Sequence, residues 1–272
     1  MFVYSICGAH FDGYASNAAT TIVVGDGAVS GRKADAILAA WNAFQAAQRK
    51  IAEASTNNDV TEVIQRMAEQ FQCNAVEGVL SHKVKRHIID GNDVIINRIT
   101  PGNNVAEFQF APGDVIGLDI LVSTGEGKPH NDEARCTVFK RELEQVYNLK
   151  MKSARAFFVE VNKRFPTLPF SLRAISDQTA AKVGVRECIN HDMLVPYPVL
   201  SERPGEFVAQ FKATVVVQPR STAVIAGGAP LDTTRFQSEH SVQDAELVEL
   251  LAKDLWKKPK KNAAGNAATT SQ

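Results

Sequence analysis

The chain has 272 residues, 44% of them hydrophobic and 22% charged, and its 30 basic and 30 acidic residues cancel to a formal net charge of zero. That is an ordinary globular composition with ample apolar material for a core, and it excludes a global field, so any polyanion must be bound by local patches. No run of about 18 apolar residues marks a membrane span, and MFVYSIC carries neither a basic lead-in nor a long apolar core, so no signal peptide is expected. The four cysteines, Cys7, Cys73, Cys136 and Cys188, stand apart without CxxC or CxH pairing, which points to reduced intracellular thiols rather than zinc or redox chemistry.

Residues 10–24, HFDGYASNAATTIVV, read as two short strands or one long bent one, with Asp12-Gly13 as a tight-turn signal. Asn17 falls among small residues (Ala15, Ser16, Ala18, Ala19), which leaves room beside it. Helical spacing then runs through SGRKADAILAAWNAFQAAQRKIAEAS, with Ser30 as cap and Ile37, Ala40, Trp41, Phe44, Ala47 and Ile51 as an apolar stripe. A second helix follows Asn58, with Val60, Val63, Ile64, Met67 and Phe71 on one side; both stripes read as core packing. From Glu77, EGVLSHKVKRHIIDG sets His82 and His87 among basic residues, and β-branched Ile88 and Ile89 before Asp90-Gly91 argue against a helix. EFQFAPGDVIGLDILVSTGEG reads as strand, turn at Ala111-Pro112-Gly113-Asp114, strand and Gly-rich loop. Asp119, flanked there by Leu118 and Ile120, needs a cation, a metal or a lysine, because a buried carboxylate without a partner is costly. STGEGK does not satisfy the GxxxxGK[ST] spacing and no helix start follows it, which removes a phosphate-loop reading.

Residues 150–165, KMKSARAFFVEVNKRF, form a basic amphipathic helix, with Ala154, Phe157, Phe158, Val161 and Phe165 inward. Lys150, Lys152, Arg155, Lys163 and Arg164 lie outward against the single acid Glu160, and a solvated face or a phosphate-binding surface accounts for them equally. Pro166 and Pro169 end that helix, and FSLRAI, a helix near residues 177–187 and PYPVL complete a compact insert. In GEFVAQFKATVVV, residues 205–217, alternation puts Phe207, Ala209, Phe211, Ala213, Val215 and Val217 on one apolar face and turns Gln210, Lys212 and Thr214 to the other. A lysine in mid-strand either snorkels to water at a sheet edge or projects into a polar cavity where its ammonium neutralises something. A hairpin through Ser221 to Gly228 follows, then a helix from Ser241 to Trp256 with Ser241 as cap. Its Leu247, Leu250 and Leu251 have the spacing that docks in coactivator-type grooves, a spacing that core packing also produces. The end, KKPKKNAAGNAATTSQ, is a lysine cluster (Lys257, Lys258, Lys260, Lys261) running into a small polar tail that cannot bury enough surface to fold.

In succession, DGYASNAATTIVV, LSHKVKRHIIDG, GLDILVSTGEG and GEFVAQFKATVVV resemble the methionine-aminopeptidase clan of pita-bread proteins. GRKADAI, EGVLSHKVKRHIIDG, LKMKSARAFF, GEFVAQFK and VQDAEL resemble its proliferation-associated, ErbB-binding branch, from about Gly8 to Leu255. The resemblance implies an α+β fold, an antiparallel curved sheet covered by helices. Residues 1–148 and 205–256 would form the pita-bread domain, 149–204 a mainly helical insert and 257–272 a disordered basic tail. Family members begin well upstream, so the resemblance also implies a truncated N-terminal half, with a sheet edge and an apolar face left exposed.

The clan's enzymes hold two metal ions on two aspartates, a histidine and two glutamates. Carried over by motif, those positions are Ile6, Asn17, His82, Asp119 and Lys212, of which only His82 and Asp119 keep a ligand type. Two divalent ions carry four positive charges that clustered carboxylates must offset. An ammonium in the seat of the bridging carboxylate acts in the wrong direction by roughly 4 kcal/mol at about 4 Å and an effective dielectric near 20. The expectation is a degenerate site that takes no metal and no other cofactor, does not catalyse, and is filled by an Asp119–Lys212 salt bridge. The resemblance further implies association with the ribosomal large subunit and rRNA or other structured RNA, and possible signalling or transcription partners. It implies a cytoplasmic and nuclear (nucleolar) location and a part in growth control, translation or transcription. Lys150, Lys152, Arg155, Lys163 and Arg164 with Lys257, Lys258, Lys260 and Lys261 are the phosphate contacts expected. The alternatives are an active methionine aminopeptidase and a transcriptional co-regulator working through Leu247, Leu250 and Leu251.

Overall fold

The alternating and helical patterns are spent on one large sheet, two helices laid across it and a smaller second layer. A computed structural model describes residues 2–52, 55–132, 134–219 and 221–255. β1 (Phe2–Phe11) and β2 (Tyr14–Val23) form a hairpin in register from Phe11 opposite Tyr14 to Phe2 opposite Val23. Asp12 and Gly13 close it with φ of 49° and 82°, the left-handed pair whose twist matches the flanking strands. The tip is gripped from outside: Arg86 pairs with Asp12 at 2.6 Å, and the His87 main-chain N–H donates to the Gly13 carbonyl at 2.7 Å. A Cβ at position 13 would come within 2.3 Å of the His87 ring, so only glycine admits this contact.

α1 (Arg32–Ile51) and α2 (Asn57–Glu69) follow. The stripe foreseen on α1 is buried except for the half-buried Trp41, and the alanines at 36, 39, 40, 43, 46 and 47 are fully buried, which lets the helix lie close on the sheet. Its cap differs from expectation. Gly31, φ 63°, holds the N-cap position without a side-chain hydrogen bond, while Ser30 pairs with Gln237 in a short parallel ladder. α2 opens on a full capping box, the Thr56 hydroxyl accepting from Asp59 N and the Asp59 carboxylate from Thr56 N.

β3 (Leu80–Lys83), β4 (Val94–Ile96) and β5 (Val115–Ser123) come next. The strand expected at EFQF does not form. The fully buried Asn57 accepts from Phe108 N through its side chain and donates from its main chain to Phe108 O, leaving that segment a single bridge, Thr56 to Gln109. β6 (Val138–Arg141), α3 (Lys152–Arg164), β7 (Phe170–Ser171), α4 (Gln178–Asn190) and β8 (Leu194–Pro196) make the second layer, a β7–β6–β8 sheet with two helices. It has its own core, including Phe139, Phe157, Val161, Phe170, Cys188 and Leu194, so the insert's packing reaches back to residue 139, before the expected start at 149. Gly184 is required where α4 meets α3, since a Cβ there would sit 2.6 Å from the Phe157 ring.

β9 (Val208–Gln218) and β10 (Ser221–Ala226) form the late hairpin, and α5 (Ala245–Ala252) is the last helix among the described residues. Within the eight-stranded sheet the order is β1–β2–β9–β5–β3–β4, with β10 beside β9 and Asn74–Ala75 beside β5; every pairing is antiparallel. Ala209, Phe211, Ala213, Val215 and Val217 of β9 are all buried in the main core, which also takes in α1 and α2.

α5 is shorter than expected and is capped by Asp244, not Ser241. Gln70 Oε1 accepts from the main-chain N–H of Gln243 and Asp244, and Arg66 pairs with Asp244 at 2.5 Å, so the chain stays extended up to that point. Leu247 and Leu250 are 1% and 5% exposed in the main core and Leu251 is half-buried, so the three leucines do not present a free docking stripe. Lys257, Lys258, Lys260 and Lys261 lie outside the described residues. Among the described residues, no helix is long and apolar enough to cross a membrane.

Candidate functional site

Alternation along β9 turns Lys212 away from α1, and antiparallel register places it opposite Asp119 of β5 on one side and Ala19 of β2 on the other. Directly opposed residues share a face with Cβ atoms about 5 Å apart, so register alone brings ammonium and carboxylate together. Lys212 Nζ lies 2.7 Å from Asp119 Oδ2, and Gln210 Nε2 donates to Asp119 Oδ1 at 2.8 Å. The two ion-pair side chains are 24% and 10% exposed. Asp119 N donates to the Ser81 hydroxyl at 2.8 Å, which locks β5 to β3 at this point. Both carboxylate oxygens are thus committed.

The other positions carried over by motif share this face of the sheet. His82 on β3 is opposite Gly117, one pleat from Asp119, and its Nδ1 is 2.9 Å from the Gly91 carbonyl. A neutral imidazole donates there and keeps its lone pair on Nε2. Asn17 on β2 sits opposite Gly8 of β1, whose missing side chain makes the room: a Cβ would be 2.6 Å from Asn17 Oδ1. Asn17 N donates to the Thr214 hydroxyl at 2.8 Å, and Thr21 bridges Gln210 N and O in the same way, so two hydroxyls extend a β2–β9 ladder of only two residue pairs. Ile6, opposite Ala19 on β1, is 65% exposed. The register therefore runs Ile6–Ala19–Lys212–Asp119 across four strands.

Ile6, Asn17 and Lys212 line a cavity of about 500 Å³ between the sheet and the second layer, with Leu168, Phe170 and Tyr197 among its walls. Burial, then the charge of Asp90, pushes the Tyr197 hydroxyl up to about 12. A second cavity of about 630 Å³ lies beyond Ile6, lined by Tyr4, Leu121, Leu200, Glu202 and Gln210 among others. Alternation turns Gln210 to the Lys212 face, but its bond to the second oxygen of Asp119 and the roles of the Ser81 and Thr21 hydroxyls go beyond what alternation specifies. The available signal was spacing: Gln210 stands one pleat from Lys212. His87, singled out with His82, belongs to the hairpin clasp instead.

On the insert, Lys150, Lys152, Arg155, Lys163 and Arg164 are all exposed, as alternation of the helix faces required. Arg155 donates to the carbonyls of Leu149 and Lys150, and Arg164 to Glu160 and Ala174, so those two also brace the ends of α3.

The profile of metallopeptidase family M24 matches residues 1–155. Proliferation-associated protein A of Dictyostelium discoideum is 40% identical over 268 residues, covering 97% of this chain and 68% of that protein. The chain belongs to metallopeptidase family M24. Within this M24 chain's relatives, ERBB-3 binding protein 1 of Arabidopsis thaliana is 40% identical over 252 residues, 92% of this chain but 63% of the relative. The chain therefore spans about three fifths of that relative's length. The solved structure of a thermophilic Arx1 superposes with a TM-score of 0.82 at 27% identity, covering 91% of this chain and 72% of that one. The fold is accordingly the α+β pita-bread arrangement of M24, and the similarity is to the branch named for ErbB-3 binding and proliferation.

M24 includes metal-dependent enzymes, so the donor set has to be tested against a metal pair. Among the described residues, no three His, Cys, Asp or Glu side chains converge where an ion could sit. His82 and Asp119 are two donors, and Asp119 already holds an ammonium at 2.7 Å. A second cation would be placed against that ammonium instead of a bridging carboxylate. The residues of this M24 chain do not fit a two-metal centre.

Proposed function

We propose that this M24 chain is a non-catalytic binding protein in which the ancestral reaction centre has become structural filling. One observation carries the reading: the Lys212–Asp119 ion pair occupies, with Gln210, the place where clustered carboxylates would have to stand. The test is direct. Purified chain supplied with cobalt or manganese and a Met-Ala-Ser peptide should release no methionine above a metal-only control; turnover abolished by His82→Ala would reverse the assignment.

We infer further that the chain associates with the ribosomal large subunit through rRNA, in the cytoplasm and nucleolus, in the service of growth and translation control. The motif resemblance supplies the partner class. The exposed Lys150, Lys152 and Lys163 on α3 supply suitable phosphate contacts, and the lysine cluster at 257–261 extends the basic content. With no net charge on the chain, binding of this kind is local and falls steeply with salt. Co-sedimentation with ribosomes should weaken at least tenfold between low and physiological salt; unchanged binding would rule out phosphate contacts. Nuclease treatment before pull-down separates RNA-held from protein-held partners.

A further inference from the structure

In the small sheet of the second layer, β8 lies at an edge. β6 runs along one side of it, and among the described residues no strand runs along the other. Register decides which of its main-chain groups are free. Glu142 N donates to Met193 O at 2.9 Å and Tyr197 N to Val138 O at 3.0 Å, so the odd residues of this segment bond β6. Leu194 N–H, Leu194 C=O and Pro196 C=O therefore point to the far side, where Leu194, Val195 and Pro196 line a groove of about 720 Å³.

The walls of that groove are acidic. Asp90, Glu142, Glu144 and Asp192 line it, and no lysine or arginine does. Lys140 pairs with Asp90, while Glu142, Glu144 and Asp192 form no ion pair among the described residues. Four acids less one lysine leave three negative charges beside an unpaired strand edge, on a chain whose net charge is zero. Every lining residue falls between 90 and 196, so the second layer and the loop before β4 build the groove by themselves.

We propose that this groove docks an extended, lysine- or arginine-rich segment of a partner protein, added antiparallel to β8 as a fourth strand of the small sheet. Charge selects the occupant. A second copy would set its own acids against these, and a polyanion would be repelled in the same way. The partner residue opposite Leu194 exchanges two main-chain bonds with it, and the residue two positions on donates a third to Pro196 C=O. Pro196 has no N–H to give, so the ladder stops there and the edge does not template open-ended pairing. Side chains alternate along a strand, so basic residues at every second position bring their charges to one side of the groove. This docking is independent of the ribosome reading, which puts a polyanion on α3, and would stand if that reading failed.

The probe is a fluorescein-labelled synthetic peptide, acetyl-Thr-Lys-Val-Lys-Val-Lys-Thr-amide, titrated with the full chain and read by anisotropy. Binding should be saturable, should weaken at least tenfold between about 50 and 500 mM salt, and should slow hydrogen exchange at the Leu194 amide. Exchanging the lysines for glutamates, or N-methylating the three central residues to remove their donors, should each cost at least tenfold. Glu142→Gln, Glu144→Gln and Asp192→Asn together should weaken binding at least tenfold with a cooperative melt retained; asparagine suits the φ of 54° at position 192. Glu144→Lys alone serves the same purpose if the triple variant does not fold. Lys152→Glu with Lys163→Glu on α3 should leave peptide binding unchanged within about twofold, so this docking and ribosome binding are read apart. No saturable binding up to about 1 mM chain, equal binding of the glutamate or N-methylated peptide, indifference to the acid variants, or a loss in the α3 variant each overturns the proposal.

Discussion

Replacing Lys212 by methionine keeps the stem that packs along β9 and removes the charge. Asp119, 10% exposed at its side chain, would then hold a single side-chain hydrogen bond, from Gln210. Removing one partner of a buried pair typically costs 3–5 kcal/mol, because the remaining charge is stranded. Lys212 is 24% exposed and water can reach the gap, which places the expectation at the lower end, about 3 kcal/mol. For a chain of this size that amounts to a fall in Tm of roughly 6–12 °C. Replacing both residues with apolar groups, Asp119→Leu with Lys212→Met, leaves nothing stranded and should recover most of the loss. Urea or thermal melts of the two single variants and the double variant measure the coupling directly. A loss under about 1 kcal/mol for Lys212→Met, or strictly additive singles, would show that the pair neutralises nothing and that the ammonium is a solvated side chain.

Other consequences are as sharp. Gly184→Ala drives a methyl to 2.6 Å from the Phe157 ring and should cost about 1–3 kcal/mol in a melt, with Phe157→Leu in the same chain relieving part of it. Asp59 is held below the ordinary 3.8 chiefly by the Thr56 N–H, and Asp244 chiefly by its hydrogen bond from Arg66. A carboxyl depressed on folding contributes stability that is fully present above its unfolded value and lost as pH falls through its folded one. The urea midpoint should therefore drop as pH falls below the ordinary carboxylate value, and Asp244→Asn should flatten that drop. Burial pushes the Cys73 thiol up to about 11 and the Cys188 thiol up to about 12. In the native chain at mildly alkaline pH a disulfide reagent should take Cys7 promptly, and reach Cys73 and Cys188 only after unfolding.

Much of the architecture is legible wherever one period dominates. The apolar alternation of β9, the stripes of α1 and α2, the Asp12-Gly13 turn and the charged face of α3 are local patterns, each imposed by a single burial boundary. The demand of Asp119 for a partner was also readable, since an acid between Leu118 and Ile120 cannot stand alone. What was not readable involves competition. EFQF has strand-like residues, yet Asn57 captures the main chain of Phe108 on both sides and leaves no ladder. Ser30 and Ser241 are good caps by type, but Gly31 and Asp244 hold those positions.

By itself the sequence determined which side chains share a face, because a period of two or of 3.6 residues is a property of the backbone and needs no neighbour. That suffices to put Gln210, Lys212 and Thr214 together and to set Leu247 and Leu250 on one side of a helix. Only the tertiary structure decided what each face meets. Arg66 and Asp244 are 178 residues apart, and no local pattern joins them; the Asp119–Lys212 pair, across 93 residues, was expected only through the family resemblance, and the structure bears it out. Pairs at such separations are chosen by strand register and by which surface a helix is pressed against, and these depend on the whole core being assembled at once.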